Sequence, residues 1–135
     1  MKVLIDTCIW SLALRRQRPK DNSIINEFET LIRDFRVQLI GPIRQEILSG
    51  IKSEIQFKKL RNHLRSFPDY PIQTNDFELA AQYFNQCRSN GIQGSNTDFI
   101  ISAIAVNNNW QVFTTDKDFH RFQQIIPVQL YFSKK

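Results

Sequence analysis

Two cysteines in 135 residues cannot supply a disulfide framework or a Cys-based zinc site. Four glycines are too few for a sandwich of many tight turns, and none belongs to a Gly-rich loop ending in Lys-Ser or Lys-Thr. Apolar stretches last only a few residues, so no membrane-spanning helix is expected. The opening MKVLIDTCIW meets an acid at Asp6, without a signal-type apolar core ahead of a small-residue cleavage site. Repeats, low-complexity tracts and linkers are missing as well. Against these absences stand 41% hydrophobic residues, 23% charged residues and 11 Phe, the composition of a folded chain. The expectation is one soluble, cytoplasmic domain with a single core.

The net charge of +5 is unevenly spread. Residues 1–70 carry 13 Lys and Arg against 8 Asp and Glu, whereas residues 71–135 carry 5 of each. The cations form two runs: Arg15, Arg16, Arg18 and Lys20, then Lys58, Lys59, Arg61 and Arg65. A basic surface favours a polyanion such as nucleic acid through counterion release. A solvated face without a partner fits the same charges. The first run follows closely on Asp6, so it is expected at the rim of any site there, touching phosphates rather than reading bases.

Hydrophobic spacing divides the chain into alternating elements. KVLID (2–6) reads as a buried strand, followed by a short helix over 7–14 and a polar loop over 15–22. Ile24, Ile25, Phe28, Leu31 and Ile32 predict a helix from Asp21 or Asn22 to about Asp34. RVQLI (36–40) is a second strand, stopped by Gly41-Pro42. Pro42 suits the first turn of a helix that places Glu46 near its start and breaks at Ser49-Gly50. A helix over 54–65 bearing Ile55, Leu60 and Leu64 comes next, and Tyr70 to Ile72 reads as a short strand. Asn75 and Glu78 have capping-box spacing for a helix holding Phe77, Ala80, Ala81, Phe84 and Cys87 and ending near Asn90-Gly91. Ser95, Asn96 and Thr97 can each cap a helix whose first turn holds Asp98 and whose body, Phe99 to Val106, is apolar all round. WQVFT (110–114) and VQLYF (128–132) complete the strands. Strands alternating with helices imply an α/β fold: a mostly parallel sheet between two helical layers, with its site at the carboxyl ends of the strands.

That rule draws attention to the acids. Asp6 ends the first strand, Glu46 follows the second, Asp98 opens the buried helix, and Asp116 follows WQVFT with Asp118 two residues on. Each also has an ordinary use. Asp6 can cap a helix, Asp98 can favour a helix N-terminus, Glu46 can sit in solvent, and Asp116 and Asp118 can shape a turn. A parallel sheet, however, would bring four of them to one edge. Carboxylates about 4 Å apart at an effective dielectric near 20 repel by roughly 4 kcal/mol per pair. A bound divalent cation relieves that repulsion, and oxygen-only donors suit Mg²⁺ or Mn²⁺. Such a cluster can promote phosphodiester hydrolysis.

The blocks VLIDTCIW, IRQEIL, NTDFIISAIA and VFTTDKDF resemble the four blocks of the PIN-domain ribonucleases, and most of all the compact VapC-type toxins of type II toxin–antitoxin systems. The resemblance runs from Lys2 to about Phe132. It assigns the family's acids to Asp6, Glu46, Asp98 and Asp116, and the adjoining hydroxyl to Thr114 or Thr115. Asp118 falls at a more structural position, and Asn96 stands where some members carry a further acid. The resemblance implies an α/β/α sandwich and Mg²⁺- or Mn²⁺-dependent cleavage of RNA. It also implies a small antitoxin that occludes the site, and a homodimer.

Other acid-using folds fit less well. A haloacid-dehalogenase-type phosphatase needs an Asp where Cys8 stands, and a Ser or Cys hydrolase needs a placed histidine. His63 and His120 both lie in polar surroundings that suit a surface. Cys8, Cys87, Trp10 and Trp110 read as core residues. The alternatives to a toxin are a housekeeping RNA-processing nuclease and a non-catalytic nucleic-acid-binding or regulatory domain on the same scaffold.

Overall fold

The computed structural model describes residues 1–14 and 22–131. Val3, Leu4 and Ile5 form strand β1 (Val3–Ile5), and all three side chains are fully buried. Successive strand residues point to opposite faces, so total burial of all three means that both faces of the sheet are covered. β1 lies inside a four-stranded sheet of order β2-β1-β3-β4, with β2 at Val37–Gln38, β3 at Gln111–Phe113 and β4 at Gln129–Leu130. Every pairing is parallel, and Val3 stands opposite both Val37 and Gln111. The expected α/β fold with a parallel sheet between helices is the fold observed.

Parallel neighbours require crossovers, and seven helices supply them among the described residues. α1 (Thr7–Ala13) and α2 (Ser23–Arg33) join β1 to β2. Then α3 (Gly41–Leu48), α4 (Glu54–Leu64), α5 (Thr74–Ser89) and α6 (Asn96–Asn108) lead to β3, and α7 (Asp118–Phe122) precedes β4. No helix among the described residues is long and apolar enough to cross a membrane. α6 is buried continuously from Phe99 to Ala105, packed between α5 and β3, as its all-round apolar pattern demands. It ends at Asn109, whose left-handed backbone (φ 58°) turns the chain into β3.

Several local expectations are corrected. The cap of α5 is Gln73, not Asn75, and the acid three residues on is Asp76, not Glu78. Asp76 is fully buried and accepts from Gln73 N, Tyr70 Oη and Asn107 Nδ2 at 2.9, 2.9 and 2.7 Å. The strand expected over 70–72 is reduced to one parallel bridge, Leu39 to Asp69, because Pro68 and Pro71 remove the donors a ladder needs. Ile55 and Phe77 were expected on buried helix faces and are 80% and 57% exposed. α7, built on buried Phe119 and Phe122, is too short for its periodicity to register.

Candidate active site

Asp6 is the first residue beyond β1. Its backbone N–H still donates to Phe113 O at 3.0 Å, so its carboxylate emerges where β1 and β3 end side by side. Oδ1 caps α1 by accepting from Thr7 N at 2.8 Å. Oδ2 accepts from Thr114 Oγ1, also at 2.8 Å, which ties the ends of the two strands together. Thr114 Oγ1 in turn accepts from Asp116 N at 3.0 Å, and Asp116 Oδ1 accepts from Asp118 N at 2.9 Å. One polar chain thus runs from Asp6 through Thr114 into the turn that holds Asp116.

Asp98 reaches the same edge from α6. Its N–H donates to the Ser95 hydroxyl at 3.1 Å, while its Oδ2 accepts from Ser95 N at 3.0 Å, a complete capping box. Burial raises the Asp98 pKa, the hydrogen bonds from Ser95 oppose the rise, and the charges of Asp6 and Asp116 add to it. Burial likewise raises Asp6, outweighing the bonds from Thr114, Thr7 and Cys8, with a further push from Asp116. Asp6, Asp98 and Asp116, from three distant segments, therefore feel one another's charge.

Glu46 joins more loosely. α3 begins at Gly41, so Glu46 falls in its second turn rather than near its start, and it is exposed. The Thr7 hydroxyl donates to Glu46 Oε1 at 3.3 Å, and the two residues share an open cleft with Pro42, Gln45 and Thr97. Asp118 opens α7 with its carboxylate 3.8 Å from the Arg121 guanidinium, and Thr115 is exposed. Arg15, Arg16, Arg18 and Lys20 lie outside the described residues.

The acids and the hydroxyls of Thr7 and Thr114 form a hard-oxygen donor set, and burial, with a smaller push from the neighbouring acids, makes the charged forms of Asp6 and Asp98 costly. In donor chemistry the residues fit Mg²⁺ or Mn²⁺. They are not drawn into a preformed chelate: among the described residues no three His, Cys, Asp or Glu side chains are grouped so as to hold a metal ion.

Cys8 packs against the core, as expected, but at its edge, where its thiol also reaches the site. It is half-buried, its Sγ donates to Asp6 Oδ2 at 3.7 Å and lies 3.5 Å from Thr114 Oγ1, and it accepts from Thr115 N at 3.4 Å. Its position two residues after an acid at a strand end is the signal that could have placed it here. Cys87 and Trp10 are buried, as expected, and Trp110 is half-buried with its ring 5.5 Å from that of Tyr70. His63 and His120 are exposed.

Known structures share this fold. FitAcB from Neisseria gonorrhoeae superposes with a TM-score of 0.78 at 20% identity, covering 97% of each chain. VapBC2 from Rickettsia felis, bound to a DNA fragment from their promoter, gives 0.78 at 19% identity over 97% of this chain and 98% of that one. A toxin–antitoxin complex from Klebsiella pneumoniae gives 0.66 at 18% identity over 96% and 100%. No curated protein sequence matches the chain. The PIN domain family model aligns with residues 3–125, from β1 to the segment just short of β4, and the chain belongs to that family.

Proposed function

We propose that the protein is a divalent-metal-dependent endoribonuclease and the toxin of a type II toxin–antitoxin pair. The observation that carries the reading is geometric: Thr114 Oγ1 donates to Asp6 Oδ2 at 2.8 Å and accepts from Asp116 N at 3.0 Å where β1 and β3 end side by side, and Asp98 opens α6 within Coulombic range of both acids. Membership of the PIN family supports a nuclease, and the likeness to VapBC and FitAB complexes supports a small antitoxin partner. A homodimer belongs to the same reading. Mg²⁺ or Mn²⁺ would be held by Asp6, Glu46, Asp98 and Asp116, and would polarise the scissile phosphate and the attacking water.

The chain's own contribution is to orient the acids in advance. Thr7 N and Thr114 fix the two oxygens of Asp6, the Ser95 box fixes Asp98, and the Thr7 hydroxyl steadies Glu46. Burial of Asp6 and Asp98 strengthens their pull on a cation while making their charged forms costly without one.

The test is cleavage of single-stranded RNA by purified protein. The wild type should cut with Mg²⁺ or Mn²⁺ and stop with EDTA, and Asp6→Asn and Asp98→Asn should each abolish cutting while remaining folded. Expression of the wild type alone should arrest bacterial growth, and Asp6→Asn should relieve the arrest. Wild-type cleavage by either variant would refute the site. Normal growth under verified soluble expression would refute the toxin reading and leave a housekeeping nuclease.

A further inference from the structure

An anionic catalytic edge repels RNA, so a nuclease built on it needs cations elsewhere to hold the substrate. Residues 52–65 hold five of them, Lys52, Lys58, Lys59, Arg61 and Arg65, against the single acid Glu54, a net +4 beside a whole-chain charge of +5. All but Lys52 stand on α4 or at its C-cap, Arg65. Lys58, Lys59 and Arg65 are exposed and Arg61 is half-buried. Glu54 is engaged by Lys58 at 3.2 Å, one turn along the helix.

Helical spacing sorts these side chains into two rows. Lys58, Arg61 and Arg65 share one flank of α4, and Lys59 and His63 share the other. The second row borders an open cleft of about 920 Å³, completed by Leu14, Ile51 and the amides of Gln56 and Asn62. Leu14 follows α1, whose cap is Asp6, and Ile51 lies five residues after Glu46. α1 is seven residues long, about 10 Å at 1.5 Å per residue.

We propose that α4 and the cleft beside it form the docking track for single-stranded RNA, leading the strand to the carboxylate edge. The inference rests on the nuclease reading for its substrate class. A row of like charges with one acid among them matches a backbone that repeats a negative charge, and the cleft's amides and apolar side chains suit bases splayed from such a backbone. The contacts are to phosphate, so the track carries affinity rather than sequence preference.

The test measures binding apart from cutting. Fluorescence anisotropy would follow a labelled single-stranded RNA of about 20 nucleotides, longer than one domain's usual footprint, in EDTA over a range of salt. The protein under test carries K58Q, K59Q, R61Q and R65Q together. If half of these four side chains touch phosphate, affinity at 0.15 M salt falls about tenfold, and the slope of log affinity against log salt drops by about 0.7 per contact. The control variant K2Q with R33Q, at the opposite edge of the sheet, should bind like the wild type. Should the fourfold variant unfold, K58Q with K59Q and R61Q with R65Q must each give part of the effect. An affinity within about twofold of wild type with an unchanged slope would overturn the proposal and assign these cations to another partner, such as an acidic protein segment. The two readings fail separately. RNA binding lost with the α4 cations in a protein that never cuts RNA refutes the nuclease and keeps the track. Metal-dependent cutting with KM unchanged in the α4 variant keeps the nuclease and refutes the track.

Discussion

Asp76 and Asp6 are both buried acids near the start of a helix, and replacing each should produce opposite phenotypes. Asp76 has no exposure and serves as acceptor for three donors: Tyr70 Oη, Gln73 N and Asn107 Nδ2. Hydrogen bonds to a charged group are worth about 1.5–3 kcal/mol each. Gln73 and Asn107 are exposed and Tyr70 is half-buried, so part of the loss is recovered from water. Asp76→Ala should therefore cost about 3 kcal/mol, which at this chain length lowers Tm by roughly 12 °C. Asp76→Asn keeps one acceptor but turns an N–H toward a donor, and should cost about 2 kcal/mol. Urea unfolding followed by circular dichroism measures the loss. RNA cleavage well below the midpoint should be retained, because no hydrogen bond links Asp76 to the Asp6–Thr114–Asp116 chain. A loss under about 1 kcal/mol, or abolished cleavage by folded protein, would refute the assignment of Asp76 to stability alone.

Asp6→Asn and Asp98→Asn should leave stability in metal-free buffer at pH 7 unchanged or raised, since each removes a buried charge repelled by its neighbours; a lowered urea midpoint would contradict this. Ser95→Ala, which removes the acceptor for Asp98 N, should cost about 1 kcal/mol, whereas Ser95→Asn should restore most of it. The Tyr131 pKa is pushed up to about 12 by burial and by the carboxylate of Glu27, which accepts from its hydroxyl. The unfolded chain therefore loses this proton first, near pH 10, and stability should fall as pH rises from about 10 to 12. In Tyr131→Phe that fall should be shallower, as measured by urea midpoints across the range.

The strands were legible because burial on both faces leaves a distinct trace. VLI, VQ, QVF and QL lie inside the expected runs 2–6, 36–40, 110–114 and 128–132, trimmed at the ends where ladder pairing stops. α6 was legible for the same reason, with Ser95 and Asp98 announcing its start. Elements defined by tertiary contact were not. Ile55 and Phe77 sit at apolar spacings yet face solvent, because amphipathic spacing cannot say which part of an apolar stripe meets a neighbour. The Asn75 signal competed with one two residues upstream, and Asp76 won because Tyr70 and Asn107 supply partners that local sequence does not reveal.

The site divides along the same line. Strand ends and helix starts can be read from a sequence, so Asp6 after β1, Asp116 after β3 and Asp98 in the first turn of α6 were each expected near one edge of the sheet. Their side-chain partners depend on which strands are neighbours. Thr114 bonds Asp6 only because β3 lies beside β1, 108 residues away along the chain, and Cys8 reaches Thr115 N for the same reason. That adjacency also explains why Asp6 stays raised despite three donors. The strand pairing that delivers Thr114 also buries the carboxylate and brings Asp116 within Coulombic range, and burial outweighs the hydrogen bonds. A buried acid whose neighbours are donors alone, as with Asp76, stabilises the fold. Asp6, buried and with Asp116 in Coulombic range, keeps a charge that burial makes costly, and a divalent cation would offset that cost.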